Sequence, residues 1–169
     1  MINNKQIVIR DFEPEDENFV RKLIDDGIKG RHFIDKNDKK LPSGVPSLHE
    51  NIIEAIKEKE IAIATPSGKI YKGKISVKIA EFKNQKSGVL IVKHDFIGIE
   101  LWVLVVEKDF RRQGVATYLI LHEMKSVERG LFYTRCRKKS TYAMKLLEKI
   151  GFKRVAEDVS GMVGYEYIK

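Results

Sequence analysis

The sequence predicts an α/β fold in which helices cover one sheet. Two observations carry this prediction. The segment from Ile99 to Val106, IELWVLVV, is apolar at every position except Glu100, and such a strand is normally buried on both faces in the middle of a sheet. From that strand onward the pattern is strand, helix, strand, helix, strand, strand, as in α/β proteins. The 169 residues suffice for one domain with a proper core, which we expect to span residues 1–169.

The first part of the chain supplies a strand and two helices. QIVIRDF is a predicted strand, and EPEDENFVRKLIDDG is a predicted helix that begins near Pro14 and ends at Gly27. Residues Ile28 to Pro46 lose this periodicity, which predicts an irregular, mobile loop. The next helix opens at Ser47, because Glu50 follows three residues later with the spacing of a capping box.

Strands and helices then alternate to the end of the sequence. Two strands joined by a turn around TPSGK are predicted in EIAIATPSGKIYKGKISVKIAEF. NQKSG predicts another turn, and Val89 to Val92 a short extra strand. After the central strand, a helix extends to about Arg129, and Gly130 ends it. LFYTRCR is then a strand, KSTYAMKLLEKIG a helix, and FKRVAE and GYEYIK are the closing strands.

Composition narrows the class of protein. A net charge of +8 and a pI near 9.4 favour anionic partners such as phosphorylated cofactors, nucleic acid or acidic protein faces. The longest apolar run, Leu101 to Val106, is too short to span a membrane, and no secretory signal is visible. The single cysteine, Cys136, cannot form an internal disulfide, which agrees with a cytoplasmic protein. The four histidines are scattered, so we expect no metal site.

The stretch DFRRQGVATYL, Asp109 to Leu119, indicates a binding site for an anion. It joins the central strand to a helix, and the first N–H groups of a helix lack acceptors within it and lie at the positive end of its dipole. Gly114 and Ala116 remove side-chain bulk, so that a phosphate can approach those N–H groups. Arg111 and Arg112 add positive charge. The pattern is neither a Walker loop nor the Gly-x-Gly-x-x-Gly of dinucleotide folds.

RRQGVA resembles the cofactor motif of the GNAT superfamily of acyl-coenzyme A-dependent N-acetyltransferases, Arg/Gln-x-x-Gly-x-Gly/Ala after a hydrophobic strand. STYAMKLLEKIGFKRV is similar to the second signature of the family, Asn-x-x-Ala-x-x-Leu-Tyr-x-Lys-x-Gly-Phe. The order of elements along nearly the whole chain is similar as well. This resemblance implies a mixed, mostly antiparallel twisted sheet with helices on both faces, and acetyl-coenzyme A as the cofactor.

By the same resemblance, the cofactor lies across the end of a splayed pair of strands. The backbone of Leu104 and Val106 would pair with the pantetheine arm, because a spread pair leaves N–H and C=O groups free. The turn that would hold the pyrophosphate consists of Arg111, Arg112, Gln113, Gly114, Val115, Ala116 and Thr117. Ser140 stands where the family has asparagine, and it can still donate to pantetheine over a shorter reach. Leu147 replaces the tyrosine that often protonates the departing thiolate, so another group or water must do this.

Glu100 is the candidate for the catalytic base. The attacking amine must lose a proton, and Glu100 is the only ionisable residue of the central strand. It lies six residues before Val106, where some members of the family carry a catalytic glutamate. The alternatives are that Glu100 faces a solvated cleft or pairs with a lysine structurally. Trp102 is either a core aromatic, which is favoured, or a wall of the acceptor pocket.

The sequence therefore predicts an enzyme that transfers an acetyl group from acetyl-coenzyme A to a primary amine, by direct attack in a ternary complex. An acyl-enzyme is disfavoured, since the only cysteine has no histidine neighbour at catalytic spacing. The acceptor is a small molecule or a peptide, and the loop from Ile28 to Pro46 is expected to cover it. The alternative is a nucleic-acid-associated protein on the same scaffold, acting on aminoacyl-tRNA or binding without activity. Dispersed lysines argue against it. No membrane partner is expected, and a homodimer is left open.

Overall fold

The chain folds around one mixed sheet in the computed structural model, which describes residues 6–33, 48–65 and 67–169. The α-helices in these residues are α1 (Glu17–Lys29), α2 (Leu48–Glu58), α3 (Val115–Ser126) and α4 (Thr141–Ile150). The strands are β1 (Ile7–Asp11), β2 (Glu60–Ala64), β3 (Ile70–Phe82), β4 (Gln85–His94), β5 (Ile99–Val106), β6 (Leu131–Arg137), β7 (Lys153–Glu157) and β8 (Met162–Ile168). None of the helices in the described ranges has the length and apolarity needed to cross a membrane.

Strand β5 lies in the middle of the sheet, where the sequence predicted it. The strand order is β1-β3-β4-β5-β6-β8-β7, and β2 also pairs with β3. Neighbouring strands are antiparallel except β5 and β6, which are parallel. The predicted fold class, a mixed and mostly antiparallel α/β sheet, is confirmed.

Two apolar cores lie on opposite faces of this sheet. Neighbouring residues of β4 belong to different cores, and successive side chains of a strand point to opposite faces. Val89 and Ile91 pack in one core with α1 and α2, whereas Leu90 and Val92 pack in the other with α3 and α4. We call these the α1–α2 face and the α3–α4 face. Helices therefore cover both faces, as predicted.

Helix α1 does not end at Gly27, and this prediction was wrong. The helix continues to Lys29. A Cβ atom at Gly27 would lie only 2.2 Å from the ring of Phe33. Glycine is present there because the ring packs directly on the helix backbone, and not because the helix stops.

The predicted loop from Ile28 to Pro46 is only partly described. Ile28 and Lys29 belong to α1, and residues 30–33 form the turn that follows it. Residues 34–47, including Ser47 of the predicted capping box, lie outside the described residues.

Most of the predicted turn at NQKSG, from Gln85 onward, and the short strand after it belong to one long strand, β4. The hairpin turn is Lys83-Asn84, with φ of 52° and 63°. Two successive residues with positive φ make a type I′ turn, whose twist matches that of a hairpin. The usual sequence signal for such a turn is Asn-Gly or Asp-Gly, and neither occurs at this position.

The second half of the chain follows the predicted order of elements. Strand β5 is succeeded by α3, β6, α4, β7 and β8. Helix α3 ends at Ser126 and not near Arg129, because Val127 is already extended, with φ −115° and ψ 130°.

Candidate active site

Strands β5 and β6 separate directly after their first residues. They pair only at Ile99 and Glu100 of β5. At the next residue, the hydroxyl of Thr134 donates to the C=O of Leu101 at 2.7 Å, so a side chain replaces the neighbouring strand as donor. From Trp102 onward, no strand among the described residues pairs with β5 on its β6 side. A gap therefore opens in the middle of the sheet, and its β5 edge has backbone groups available for a ligand.

A β-bulge lies in β5 beside this gap. Two consecutive residues of β4 face Leu101 and Val103, so that Trp102 is the extra residue. Bulges re-aim side chains, and this one places Trp102 against the core of the α1–α2 face, next to Val103. Leu104 and Val106 pack partly buried on the α3–α4 face. The predicted pantetheine-pairing residues thus lie beyond the bulge, along the open edge.

The connection from β5 to α3 forms a turn that ends with residues in the left-handed region of backbone conformation. The φ angle is 62° at Arg112 and 84° at Gly114, and Gly114 is the N-cap of α3. Glycine adopts positive φ without steric cost, so the backbone conformation of this turn explains the presence of glycine at position 114. The N–H groups that follow, at Val115, Ala116 and Thr117, have no acceptors within the helix. This turn has the geometry of the predicted anion site.

Side chains of the turn fix its shape. Nε of Arg111 donates to the C=O of Val106 at 3.1 Å, and the amide of Gln113 donates to the C=O of Asp109 at 2.9 Å. The guanidinium of Arg112 lies 4.8 Å from the ring centre of Tyr142 and donates to its hydroxyl. Because Tyr142 is in the first turn of α4, the N-terminal ends of α3 and α4 meet here.

Gly88 of β4 brings α3 close to the sheet. It pairs with Val106, and a Cβ atom on it would lie 3.0 Å from the side chain of Val115 and 3.2 Å from the C=O of Val105. A larger residue would push the N-terminus of α3 away from β5. Sequence reasoning missed this role, because a glycine in a predicted turn carries no signal of a contact with a distant helix.

Ser140 precedes α4 and contacts the turn after α1. Its hydroxyl lies 2.8 Å from Nδ1 of His32, and Nζ of Lys139 donates to the C=O of Gly30. Burial and the positive charges of Lys139 and Arg111 lower the pKa of His32. His32 is therefore neutral at neutral pH. The sequence analysis did not identify His32 as a neighbour of Ser140.

Glu100 is 3% exposed and is paired with a lysine. Nζ of Lys93, directly opposite in β4, contacts Oε2 of Glu100, and Arg135 lies 3.8 Å from Oε1. The hydroxyl of Tyr133 donates to Asp95 and lies 3.5 Å from Oε2 of Glu100. Burial and the hydrogen bond to Asp95 raise the pKa of Tyr133 far above its usual value. The lysine pair that the sequence left as an alternative is present, and the role of Glu100 as base stays a prediction.

A cavity of about 450 Å³ opens on the α1–α2 face beside Trp102. Its other lining residues come from α2, the start of β2 and β3; they are Asn51, Glu54, Ala55, Glu58, Glu60, Ile61, Ala62 and Lys72. Glu60 pairs with Lys72 at 2.8 Å, whereas Glu54 and Glu58 lie exposed, one helical turn apart. Trp102 packs on the core, which confirms the favoured interpretation, and it also lines this cavity.

Leu147 and Cys136 do not supply catalytic groups at the gap. Leu147 is 5% exposed and belongs to the core of the α3–α4 face. Burial raises the pKa of the Cys136 thiol, which makes it a poor nucleophile. Within the described ranges, no three side chains of the types that bind metals come together.

The gap between β5 and β6 suits the amide-bearing arm of a long ligand. The helix N-terminus next to it suits a phosphate group of the same ligand. Coenzyme A has this form, and the left-handed Gly114 turn with its free N–H groups suits its pyrophosphate. The fold and the site thus define a coenzyme A-dependent transferase.

Comparison with known proteins identifies the family. Residues 72–152 match the model of the Acetyltransferase (GNAT) family. This region holds β5, the turn after it, Ser140 and α4. No curated protein sequence matches the chain. The match over residues 72–152 shows a GNAT acetyltransferase domain in the chain, which identifies an acyl-coenzyme A-dependent N-acetyltransferase whose cofactor is acetyl-coenzyme A.

Solved structures with the same fold include three acetyltransferases. The PaiA N-acetyltransferase of Thermoplasma acidophilum, in complex with coenzyme A, has a TM-score of 0.65 at 14% identity, covering 96% of this chain and 99% of that one. The ribosomal-protein-S18-alanine N-acetyltransferase of Escherichia coli has a TM-score of 0.63 at 13% identity, covering 96% and 93%. The spermidine/spermine N-acetyltransferase SpeG of Vibrio cholerae has a TM-score of 0.63 at 14% identity, covering 98% and 95%. At these identities the likeness shows the fold.

Proposed function

We propose that this enzyme transfers the acetyl group of acetyl-coenzyme A to a primary amine by direct attack in a ternary complex. The observation that supports this most strongly is the gap between β5 and β6. The phosphate-binding turn lies at one end of the open β5 edge, and Glu100 and Trp102 lie at the other. Cofactor and acceptor can therefore meet at the bulge, from opposite faces of the sheet. The half-buried, weakly acidic thiol of Cys136 argues against an acyl-enzyme.

The proposed cofactor-binding groups lie along the gap and at its phosphate-binding end. The turn from Arg111 to Thr117 offers N–H groups and two guanidinium groups to the pyrophosphate. The backbone of Leu104 and Val106 offers N–H and C=O groups to the pantetheine amides. Ser140 donates a further hydrogen bond from the opposite side. When bound, acetyl-coenzyme A supplies the thioester that the amine attacks.

Glu100 accepts the proton of the attacking amine in this proposal. Its Oε2 is held by Lys93, while Oε1 lies 3.8 Å from the exposed Arg135. A carboxylate oxygen can accept further hydrogen bonds. The departing thiol resembles that of cysteine, with a pKa of about 8.5. It can leave as a thiolate, which water or a neighbouring group protonates, since Leu147 cannot.

The cavity beside Trp102 is the proposed acceptor site, and its charge favours a cationic amine. The chain carries a net charge of +8, yet three glutamates and one lysine line this cavity. The face of an indole ring also attracts cations. A diamine or polyamine, with one amine at Glu100 and a second positive charge near Glu54 and Glu58, suits this arrangement. The similar fold of a spermidine/spermine acetyltransferase agrees with this choice.

Replacing Glu54 and Glu58 together by glutamine is expected to raise KM for a diamine about fivefold or more. Each exposed charge pair contributes ~0.5–1 kcal/mol, and coenzyme A affinity should not change because both residues lie on the α1–α2 face. Glu128→Gln, an exposed glutamate after α3, is the control for loss of negative charge. An unchanged KM for the diamine in the double variant would contradict the assignment of the cavity.

The Arg111→Ala variant is expected to bind coenzyme A ~10- to 100-fold more weakly, which corresponds to the ~1.5–3 kcal/mol of one charge-assisted hydrogen bond. Isothermal titration calorimetry measures this directly. Arg129→Ala removes a positive charge beyond the other end of α3 and serves as the control. If both variants bind coenzyme A like the wild type, Arg111 does not contact the cofactor.

Thiol release from acetyl-coenzyme A, measured against a panel of amines, tests the proposed reaction. The panel contains diamines, polyamines, monoamines, amino acids and peptide N-termini, and mass spectrometry identifies the product. We expect a mono-acetylated diamine or polyamine to form fastest. If no amine in the panel is acetylated although coenzyme A binds, the proposed reaction is wrong.

We further propose that residues 1–169 act as one acetyltransferase domain in the cytoplasm. The cytoplasmic location is inferred from the single cysteine. The nucleic-acid alternative and the homodimer both stay predictions. A steep salt dependence of RNA binding would favour the nucleic-acid alternative.

A further inference from the structure

Lys93 is a largely buried lysine beside the proposed base. It lies in β4 directly opposite Glu100, and its side chain is 13% exposed. Its ammonium contacts Oε2 of Glu100, lies 4.0 Å from Oδ2 of Asp95, and lies 5.8 Å from the ring centre of Trp102. A buried lysine is costly unless its charge is paired. The pairing with Glu100 is therefore a strong constraint on both side chains.

The groups that face Glu100 in the described residues come from three elements. They are Lys93 from β4, Asp95 from the turn after it, and Tyr133 and Arg135 from β6. Tyr133 is neutral and donates to Asp95. Asp95 is also fixed by the N–H groups of Ile97 and Gly98, at 2.8 and 3.1 Å.

The two cations near Glu100 differ in their surroundings. Arg135 is 61% exposed, so solvent screens its charge. Lys93 is the buried cation, and it lies between the carboxylates of Glu100 and Asp95. Without it, two carboxylates would face each other across a buried site, which disfavours the ionised form of each. Lys93 therefore has the larger influence on the ionisation of Glu100.

We propose that Lys93 is a positioning residue for Glu100. It fixes the carboxylate beside Trp102 at the bulge and holds a positive charge directly against it, in position for the carboxylate to take a proton from the acceptor amine. This inference rests on the proposed function, in which Glu100 is the base. Beyond that function, we infer that Lys93, on the strand next to Glu100, sets the pH at which the enzyme becomes active.

The pH dependence of kcat/KM in Lys93 variants tests this. Lys93→Met is expected to move the acidic limb of the profile to higher pH, by about 1 pH unit or more. Lys93→Arg keeps the charge and is expected to have its limb close to the wild-type pH. Lys93→Gln, which keeps polarity but not charge, serves if the methionine variant does not fold. Lys74→Met, at an exposed lysine of β3, controls for the loss of one positive charge. A purely structural role would lower kcat without moving the limb.

Trp102 provides a readout that needs neither cofactor nor acceptor. It is the single tryptophan of the chain, so intrinsic fluorescence reports on this cluster. We expect a fluorescence transition with pH in the wild type, its absence in Glu100→Gln, and its shift to higher pH in Lys93→Met by the same amount as the kinetic limb.

The outcomes separate this inference from the proposed function. One result would show that Lys93 does not control the base. In it, Glu100→Gln loses the acidic limb, whereas Lys93→Met keeps both the limb and the fluorescence transition at the wild-type pH. The inference would then be wrong. If Glu100→Gln keeps a wild-type limb, Glu100 is not the base, and the inference is overturned together with that assignment. Acetyl transfer to the amine panel is measured independently of both results.

Discussion

The Gly114→Leu variant is expected to lose coenzyme A binding, with an affinity at least ~100-fold below that of the wild type. Gly114 has φ 84°, a conformation that costs a leucine roughly 1–2 kcal/mol. A side chain there would also obstruct the approach of a phosphate to the N–H groups of α3, each of which contributes ~1.5–3 kcal/mol as a hydrogen bond to a charged group. Calorimetric titration with coenzyme A measures the loss.

Gly161→Leu is the matched control for this variant. Gly161 has φ 78°, and nothing lies within 4 Å of a Cβ atom built on it, so it shares the backbone strain but not the proposed phosphate contact. We expect it to lose some thermal stability and to bind coenzyme A normally. If the two variants bind coenzyme A equally well, the Gly114 turn is not the pyrophosphate site.

The Glu100→Gln variant is expected to lose kcat by ~10²- to 10⁴-fold, the usual contribution of a general base. Its pH–rate profile should lack the acidic limb, because the amide cannot take up a proton. Initial rates over a pH series, at saturating acetyl-coenzyme A, provide the measurement.

Stability must be measured in parallel, because Lys93 loses its nearest carboxylate in this variant and keeps Asp95, at 4.0 Å. Leaving a buried charge wholly unpaired destabilises a protein by ~3–5 kcal/mol, and the contact with Asp95 reduces this loss. The double variant Glu100→Gln with Lys93→Met removes both charges and controls for this effect. It should recover thermal stability but not activity. A pH profile identical to that of the wild type would remove Glu100 from the mechanism and leave water as the base.

The strand and the turn of the proposed cofactor site could be predicted from the sequence because their signals are local. The apolar run of β5, the small residues Gly114 and Ala116, and the arginines before them lie within a few residues of one another. The structure confirms the strand and shows the left-handed turn that requires glycine. A local structure that is determined by neighbouring residues can be predicted without knowledge of the rest of the fold.

The particular partners of Glu100 and Ser140 could not be predicted, because they depend on strand register and on contacts between distant residues. The pairing of Lys93 with Glu100 requires β4 to extend to His94, whereas the sequence predicted a strand that ended at Val92. The contact of His32 with Ser140 joins residues 108 positions apart. Neither contact has a periodicity or composition that would signal it.

The substitution of the family tyrosine by Leu147 could be seen in the sequence, and the structure explains what it means locally. Leu147 packs in the apolar core of the α3–α4 face. Apolar packing therefore satisfies this position, and a tyrosine hydroxyl would need a polar partner there. In the proposed reaction, the thiolate leaves through its own acidity, and water or a neighbouring group protonates it.

A crystal structure of the protein with coenzyme A tests the central claim most directly. The account predicts the pyrophosphate on the N–H groups of the turn from Arg111 to Thr117, and the pantetheine arm between β5 and β6, paired with the backbone of Leu104 and Val106. The thiol should end beside the bulge at Trp102, on the side of Glu100. Coenzyme A bound elsewhere, or a thiol remote from Glu100, would contradict the account.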